Sequence, residues 1–137
     1  MDDIERLIRD IGKIPKELKR ELRPGLRAAA KPVLDRARRN ASWSTRIPGA
    51  TKISITFAGR RPGVKIVTNA KRAPHARPFE NLGDQGTFRH PVWGNRDVWV
   101  TQKARPFLFP ALEVKGGEAV KEISRVVDRA TRDAGFR

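Results

Sequence analysis

The spacing of apolar residues changes twice along this chain, and this change restricts the fold more than any other feature. As far as about residue 40, apolar residues recur every three or four positions, which indicates helix. Ile53, Ile55 and Phe57 then alternate with polar residues, which indicates a strand with one buried face. From Val120 the helical spacing returns. This order predicts an α+β fold with a small antiparallel sheet.

Two helices are predicted before the strands. The apolar stripe of the first consists of Ile4, Leu7, Ile8 and Ile11. Gly12 is expected to end it, and a second helix to begin at Pro15, since proline suits the first helical position. The second stripe continues to about Asn40. Pro24 and Pro32 lie inside it and are expected to kink or divide the helix.

The middle of the chain is predicted to contain strands joined by loops. Residues 40–51 read as a loop, 60–63 as a turn and 64–68 as the return strand of a hairpin. Residues 69–96 are rich in Pro, Gly, Asn and Arg and lack sustained periodicity, so a long basic loop is predicted there. Residues 97–101 are predicted to form a third strand.

A helical region is predicted at the C-terminal end. Pro110 begins a short helix, which Gly116 and Gly117 are expected to break. A last amphipathic helix is then predicted to pack over the sheet. Its stripe consists of Val120, Ile123, Val127, Ala130 and Ala134.

The length of 137 residues indicates a single domain. Within it we predict a helical N-terminal part (1–41), a sheet with a basic loop (52–101) and a helical C-terminal part (106–134). No apolar run approaches the ~20 residues that span a bilayer, so no membrane partner is expected. The acidic start, Met-Asp-Asp-Ile-Glu, is unlike a secretory signal, which favours synthesis in the cytosol.

The net charge of +15 is concentrated in the middle of the chain. Residues 23–109 hold eighteen basic and four acidic side chains, whereas residues 1–22 hold six of each. Fields of this size favour polyanions or acidic protein partners.

The tetrapeptide Ala-Arg-Pro-Phe occurs twice, at 76–79 and 104–107. Because a residue before proline is driven toward an extended conformation, Arg77 and Arg105 are expected on extended or turning backbone. Phe107 and Phe109 alternate beside prolines, so one is expected in the core and the other available to a neighbouring subunit.

Catalytic chemistry is poorly supported, and neither an enzyme nor a cofactor is expected. The chain has no cysteine, and His75 and His90 are not in a metal-ligand spacing. Glu80 or Asp84 could complete a two-histidine site, but zinc needs three or four converging ligands, so both histidines are expected to be ordinary loop residues bonded to the backbone. These acids and Asp97 are the only ones in 40–109, and with basic neighbours they are expected to form structural ion pairs.

Three segments resemble one family of proteins. They are His-Ala-Arg-Pro-Phe-Glu-Asn-Leu-Gly at 75–83, Arg-His-Pro-Val-Trp-Gly at 89–94 and Gln-Lys-Ala-Arg-Pro-Phe-Leu-Phe-Pro-Ala-Leu at 102–112. Placed after a central hairpin and before a last helix, they are similar to the minor tail-component, or neck, family of long-tailed bacteriophages, the gene-product-ten-like proteins of lambdoid phages.

The resemblance implies a structural virion protein of the head–tail junction, made in the cytoplasm of a bacterial host and without catalytic activity. Copies would form a ring, a hexamer or dodecamer, between head-completion or connector proteins and tail-terminator proteins. Contact with the packaged DNA would be non-specific.

Two sets of residues are the candidate contacts under this interpretation. The predicted subunit interface consists of Arg77, Phe79, Trp93, Arg105, Phe107 and Phe109. The predicted contacts with DNA in the lumen, or with acidic partners, are Arg60, Arg61, Lys65, Lys71 and Arg72.

The alternative is a sequence-independent nucleic-acid-binding protein that uses the same basic middle segment. Basic residues there lie near Trp43, Phe57 and Phe79, and charge with interleaved aromatic residues is typical of strand binding. No recognition helix, zinc finger or RNP motif is present, so binding would be mainly to phosphate.

Overall fold

A computed structural model of the chain describes residues 15–58, 62–92 and 95–133. The helix predicted over residues 4–11, the turn residues Arg60 and Arg61, and Trp93 lie outside these ranges. The helices are α1 (Lys16–Asn40), α2 (Ile47–Ala50), α3 (Ala76–Glu80) and α4 (Leu108–Asp133), with a 3₁₀ turn at Asn81–Gly83. The strands are β1 (Thr51–Thr56), β2 (Gly63–Thr68), β3 (Thr87–Val92) and β4 (Asn95–Lys103). The mixed α+β class is confirmed.

The long helix α1 follows the predicted bounds. Pro15 precedes its first residue, and the buried side chains are those of the predicted stripe, from Leu22 to Ala37. The expectation that proline would divide the helix is wrong, because Pro24 and Pro32 both lie inside one continuous element. Both are exposed, so their rings point away from the core and the buried face is uninterrupted.

The first hairpin pairs β1 with β2 antiparallel, with Ile53 opposite Ile66. The predicted alternation is confirmed, since Ile53 and Ile55 are buried beneath α1. Thr51 fixes the open end of the hairpin: its buried hydroxyl donates to the Ile47 carbonyl at 2.7 Å and lies 2.9 Å from the Thr68 hydroxyl.

The prediction of a long loop over residues 69–96 is wrong. The segment contains α3, the 3₁₀ turn and β3. The strand predicted at 97–101 belongs to the longer β4, which pairs with β3 in a second two-stranded sheet rather than joining the first hairpin. The sequence Thr-Phe-Arg-His-Pro-Val of β3 lacks simple alternation because this sheet does not cover a core.

The two long helices run antiparallel along their lengths. Gly25 of α1 lies against Val126 of α4, and the Asn40 end of α1 lies beside Phe107, just before α4 begins. The expected break at Gly116 and Gly117 is wrong, since α4 is continuous from Leu108 to Asp133. Packing along α1 stabilises the helix and overrides the weak helical preference of glycine.

Two buried clusters form the core. The first joins α1 and the first hairpin to Ile123 and Val127 of α4. The second joins the C-terminal half of α1 to Ile47 of α2, Phe107 and Ala111. Thus α4 packs chiefly against α1, and only part of it reaches the residues of β1. None of the helices in the described ranges has the length and hydrophobicity needed to cross a membrane.

Replacing Gly25 with leucine is expected to destabilise the protomer. A Cβ atom on Gly25 would lie 2.9 Å from Val126 Cγ1, so the two helices would have to move apart. Overpacking of this kind costs about 1–3 kcal/mol, measurable as a lower free energy of unfolding in urea.

Gly117→Leu is the matched control, because a Cβ atom there meets nothing within 4 Å. It should leave the stability of the isolated protomer unchanged or raise it by up to ~1 kcal/mol through better helix propensity. Equal losses at both glycines would contradict the close crossing of α1 and α4.

Candidate functional site

A single carboxylate joins the two Ala-Arg-Pro-Phe segments. Glu80, directly after the first copy, is 7% exposed. Its Oε2 accepts the N–H groups of Phe107 at 2.6 Å and Leu108 at 2.9 Å, and its Oε1 accepts that of Phe109 at 2.8 Å. The first N–H groups of a helix have no partner within it and carry partial positive charge, so a carboxylate here stabilises the start of α4.

The backbone after Glu80 turns sharply to allow these contacts. Asn81 and Leu82 have φ values of 48° and 54°, in the left-handed region, and Gly83 follows with a φ of 84°. A Cβ atom on Gly83 would lie 2.8 Å from Phe109 Cβ, so the turn packs directly on the start of α4. This conformation is strained for Leu82, because a residue with a Cβ atom rarely adopts it. Such strain persists only where surrounding contacts fix the backbone.

The second copy is also fixed to the end of α1. The Asn40 side chain donates to the Phe107 carbonyl at 3.2 Å, and the Arg105 N–H donates to the Phe79 carbonyl at 2.9 Å. The Arg105 guanidinium lies over the Trp43 ring at 5.0 Å, a cation–π contact. The two motifs, 75–83 and 102–112, therefore form one unit, which we name the motif junction.

A row of aromatic rings extends from the motif junction to β3. Trp43 packs on Phe79 with ring centroids 4.8 Å apart, Phe79 on Phe88 at 5.0 Å, and Phe88 on His90 at 5.9 Å. His75 lies edge-on to Phe79, and its Nε2 is 3.0 Å from the Ser44 hydroxyl oxygen. This row couples the second hairpin to the end of α1.

The second hairpin exposes apolar side chains on both faces. Every residue of β4 is exposed, including Val98, Trp99 and Val100, which are 37–48% exposed. Val98 and Val100 lie on one face, and Trp99 lies on the other, where the Arg89 guanidinium is 5.6 Å from its ring. We name Val98, Trp99 and Val100 the hairpin surface. A two-stranded hairpin is marginally stable in water without further packing.

An apolar groove of about 940 Å³ lies between the first hairpin and α4. Phe109 and Leu112, respectively 46% and 50% exposed, form one edge, which we name the groove lip. Lys65 and Lys121 also line the groove. Its apolar walls include Ala30, Val33, Val64, Ile66 and Val120.

The predicted interface residues fall into different environments. Arg77 and Arg105 are exposed, Phe79 is half-buried, and Phe109 is exposed on the groove lip. Phe107 is only 1% exposed, so its inclusion in a subunit interface is corrected: it is a core residue of its own protomer. The expectation that one of Phe107 and Phe109 faces the core and the other is exposed is confirmed.

The expectation of extended or turning backbone is wrong for Arg77. It lies within the single helical turn of α3, where the following Pro78 occupies an early helical position. A missing N–H group costs nothing there, because the first helical N–H groups have no intrahelical acceptor. Arg105 lies outside helix and strand, as expected.

The predicted DNA-contact residues are only partly described. Lys65 is exposed on β2 beside the groove, while Lys71 and Arg72 are exposed in the turn after β2. The Arg72 guanidinium donates to the Gly49 carbonyl at 3.2 Å, which fixes that turn against α2. Lys65 therefore lies on a different element from Lys71 and Arg72.

The expectation that Glu80, Asp84 and Asp97 form ion pairs is wrong within the described ranges. The ion pairs there are Lys31–Asp35 and Arg125–Glu122. Glu80 accepts backbone N–H groups, and Asp84 accepts the Gly86 N–H at 2.8 Å. The role of Glu80 had one signal in the sequence, an isolated acid in the first motif of a strongly basic segment, but the N–H groups that donate to it lie 27–29 residues away.

Among the described residues, no three His, Asp or Glu side chains converge in a cluster that could hold a metal ion. No model of a known protein family, no curated protein and no solved structure matches the chain.

Replacing Glu80 with alanine is expected to weaken the fold at the motif junction. Three N–H groups would lose their acceptor, and that of Phe107 is in a buried hydrogen bond. An unsatisfied buried donor costs about 1–3 kcal/mol, which urea unfolding would measure as a lower free energy of unfolding.

Glu113→Ala, at an exposed position on α4, is the charge-matched control and should change stability by no more than ~0.5 kcal/mol. Glu80→Gln keeps one acceptor oxygen and should fall between the two. A Glu80→Ala variant as stable as the control would contradict the capping role of Glu80.

Proposed function

We propose that this chain is a structural subunit of a bacteriophage head–tail junction, where copies assemble into a ring that helps join the tail to the DNA-filled head. One observation carries the proposal: a strongly charged chain exposes large apolar side chains, and two separate surfaces, the hairpin surface and the groove lip, each hold at least two of them. Leu82 and Val114 are also exposed.

Two different apolar surfaces suit ring assembly. In a cyclic ring, each copy presents one patch to the copy before it and another to the copy after it. The hairpin surface has apolar side chains on both faces, and a neighbouring copy would supply the packing that a lone hairpin lacks. Exposed aromatic and apolar side chains of this kind are enriched in the buried centres of protein interfaces.

The motif residues support the phage assignment. The segments at 75–83 and 102–112, which resemble the neck family, contact each other through Glu80 and through the Arg105–Phe79 hydrogen bond. The two segments therefore occur in the same chain because each one stabilises the other in the fold. The resemblance supplies the location, a hexameric or dodecameric ring between connector and tail-terminator proteins. No catalytic step and no cofactor form part of the proposal.

Uncompensated positive charge favours a second candidate function, sequence-independent binding of nucleic acid. Between residues 52 and 105, no basic side chain of the described ranges forms an ion pair with a described carboxylate. Arg105 also lies over Trp43 at the start of the aromatic row, an arrangement that can stack on bases. In the proposed ring, the same charge would face the DNA in the lumen or acidic neighbouring rings.

A phage that lacks this gene is expected to produce separate filled heads and tails, visible by electron microscopy of lysates. Complementation with the natural chain should restore joined particles, whereas Val98→Asp should not, because a charge on the hairpin surface opposes burial against a neighbour.

Gln85→Asp is the matched control, since Gln85 is an exposed polar residue outside both the hairpin surface and the motif junction. It should restore particles, and both variants should unfold at the same temperature. Intact infectious particles without the gene would overturn the proposal. Restoration by Val98→Asp would remove the hairpin surface from it.

Nucleic-acid binding has its own expected signature. The affinity of the purified chain for DNA should fall linearly with salt on logarithmic axes, with a slope of about −0.9 for each phosphate neutralised. A Lys71→Ala, Arg72→Ala double variant should reduce the slope by about 2 if both residues contact phosphate. A slope unchanged from the natural chain would exclude this turn from the contact. A DNA-binding chain whose deletion leaves particles intact would favour the second function.

A further inference from the structure

The apolar groove lacks an occupant among the described residues. Its walls come from α1, β2 and α4, and its lip leaves Phe109 and Leu112 about half exposed. A volume of about 940 Å³ is large enough for several aliphatic side chains. An exposed apolar concavity of this size marks a place where another surface binds.

Two glycines make one wall of the groove flat. Gly116 and Gly117 lie in the interior of α4, where each glycine costs roughly 0.5–1 kcal/mol relative to alanine. Packing within the protomer does not require them. A Cβ atom at Gly117 would meet nothing within 4 Å, and one at Gly116 would meet only Leu112 atoms, at 3.7 Å and beyond. The pair leaves space for close approach by another backbone.

We propose that the groove receives residues 1–12 of a neighbouring copy, docked through the stripe of Ile4, Leu7, Ile8 and Ile11. This proposal rests on the proposed function, in which copies assemble side by side. The stripe holds four large aliphatic side chains at helical spacing. An amphipathic helix in an apolar groove is a common mode of segment recognition, and this stripe would extend about 10 Å.

Charge favours this occupant over the hairpin of another copy. Residues 1–12 hold four acidic and two basic side chains, and the charged residues that line the groove are Lys65 and Lys121. Strands β3 and β4 instead hold three basic side chains and one acidic one, so the hairpin would bring net like charge to the groove. Complementary charge guides the register of docking and disfavours wrong partners.

At the groove lip, the length of the chain indicates a neighbouring copy rather than the same one. Residues 1–14 connect to the N-terminal end of α1, whereas the groove lip adjoins its C-terminal end, where Asn40 binds the Phe107 carbonyl. The 25 residues of α1 span about 37 Å. From Pro15, an extended link to Ile11 reaches at most about 14 Å. A helix from there to Ile4 adds about 10 Å, so the segment reaches the level of Ala30, about 22 Å along α1, but not the groove lip of the same protomer.

Cysteine cross-linking tests the proposal directly, because the natural chain has no cysteine. Full-length Leu7→Cys and Leu112→Cys copies would be co-expressed, one of them carrying an affinity tag, and treated with a short bismaleimide. Since each copy has one thiol, a product containing one tagged and one untagged chain is necessarily intermolecular. The expected result is a high yield of this mixed dimer, and a several-fold lower yield when Arg9→Cys, on the opposite side of the stripe, replaces Leu7→Cys.

Each other outcome overturns the proposal in a distinguishable way. Equal yields with Leu7→Cys and Arg9→Cys would show that the stripe does not face the groove. Linking within a single chain that carries both Leu7→Cys and Leu112→Cys would assign the groove to its own N-terminal segment. Linking of Val98→Cys copies instead of Leu7→Cys copies would assign it to the hairpin surface.

The proposed function and this inference can fail separately. Native mass spectrometry of the natural chain and of a chain that lacks residues 1–14 reports assembly directly. If both form the same ring, the docking proposal is wrong and ring assembly stands. If the natural chain stays monomeric and particles form without the gene, the proposed function fails, and the docking proposal fails with it. If the natural chain forms a ring and the chain that lacks residues 1–14 does not, the result supports both the proposed function and the docking proposal.

Discussion

The contact of the Glu80 carboxylate with the start of α4 determines how the rest of the molecule is arranged. The carboxylate stands in a segment with far more basic than acidic residues, yet it binds three backbone N–H groups rather than a basic side chain. Basic side chains can remain in water at little cost, whereas the N–H groups at the start of a helix require an acceptor. One side chain therefore fixes α4 relative to α3 and, through Phe107 and Asn40, relative to α1.

The position of this helix start sets which aromatic residue is buried. With the N–H groups of Phe107 and Phe109 both held by Glu80, the Phe107 ring enters the second core cluster and the Phe109 ring lies on the groove lip. Phe107→Ala would therefore be expected to reduce assembly only by destabilising the protomer, a loss of about 3–5 kcal/mol for a buried phenylalanine. Phe109 is the member of the pair that can contact a neighbour directly.

The sequence predicts the elements whose stability comes from local pattern. The stripe of α1 and the alternation of β1 are both visible because one face of each meets the core. Of the second hairpin, the sequence predicts only part of β4, residues 97–101, and not β3, because this sheet does not cover a core and no apolar alternation marks β3. Continuity of α4 through Gly116 and Gly117 and the role of Glu80 depend on contacts distant in sequence, with α1 and with residues 107–109 respectively. Local propensity carries no information about such contacts.

The net charge and the exposed apolar surfaces have opposite effects on assembly of the proposed ring. Copies with a net charge of +15 repel one another, and this repulsion is screened only beyond about 8 Å at physiological ionic strength. Burial of the hairpin surface and the groove lip favours association. It also brings the basic middle segment of one copy closer to the basic middle segment of the next copy. A polyanion along the lumen, or an acidic ring above or below, would relieve the repulsion. Assembly of such a chain is therefore expected to be stronger in the presence of its anionic partner than alone, which couples ring formation to the presence of DNA or of the neighbouring rings.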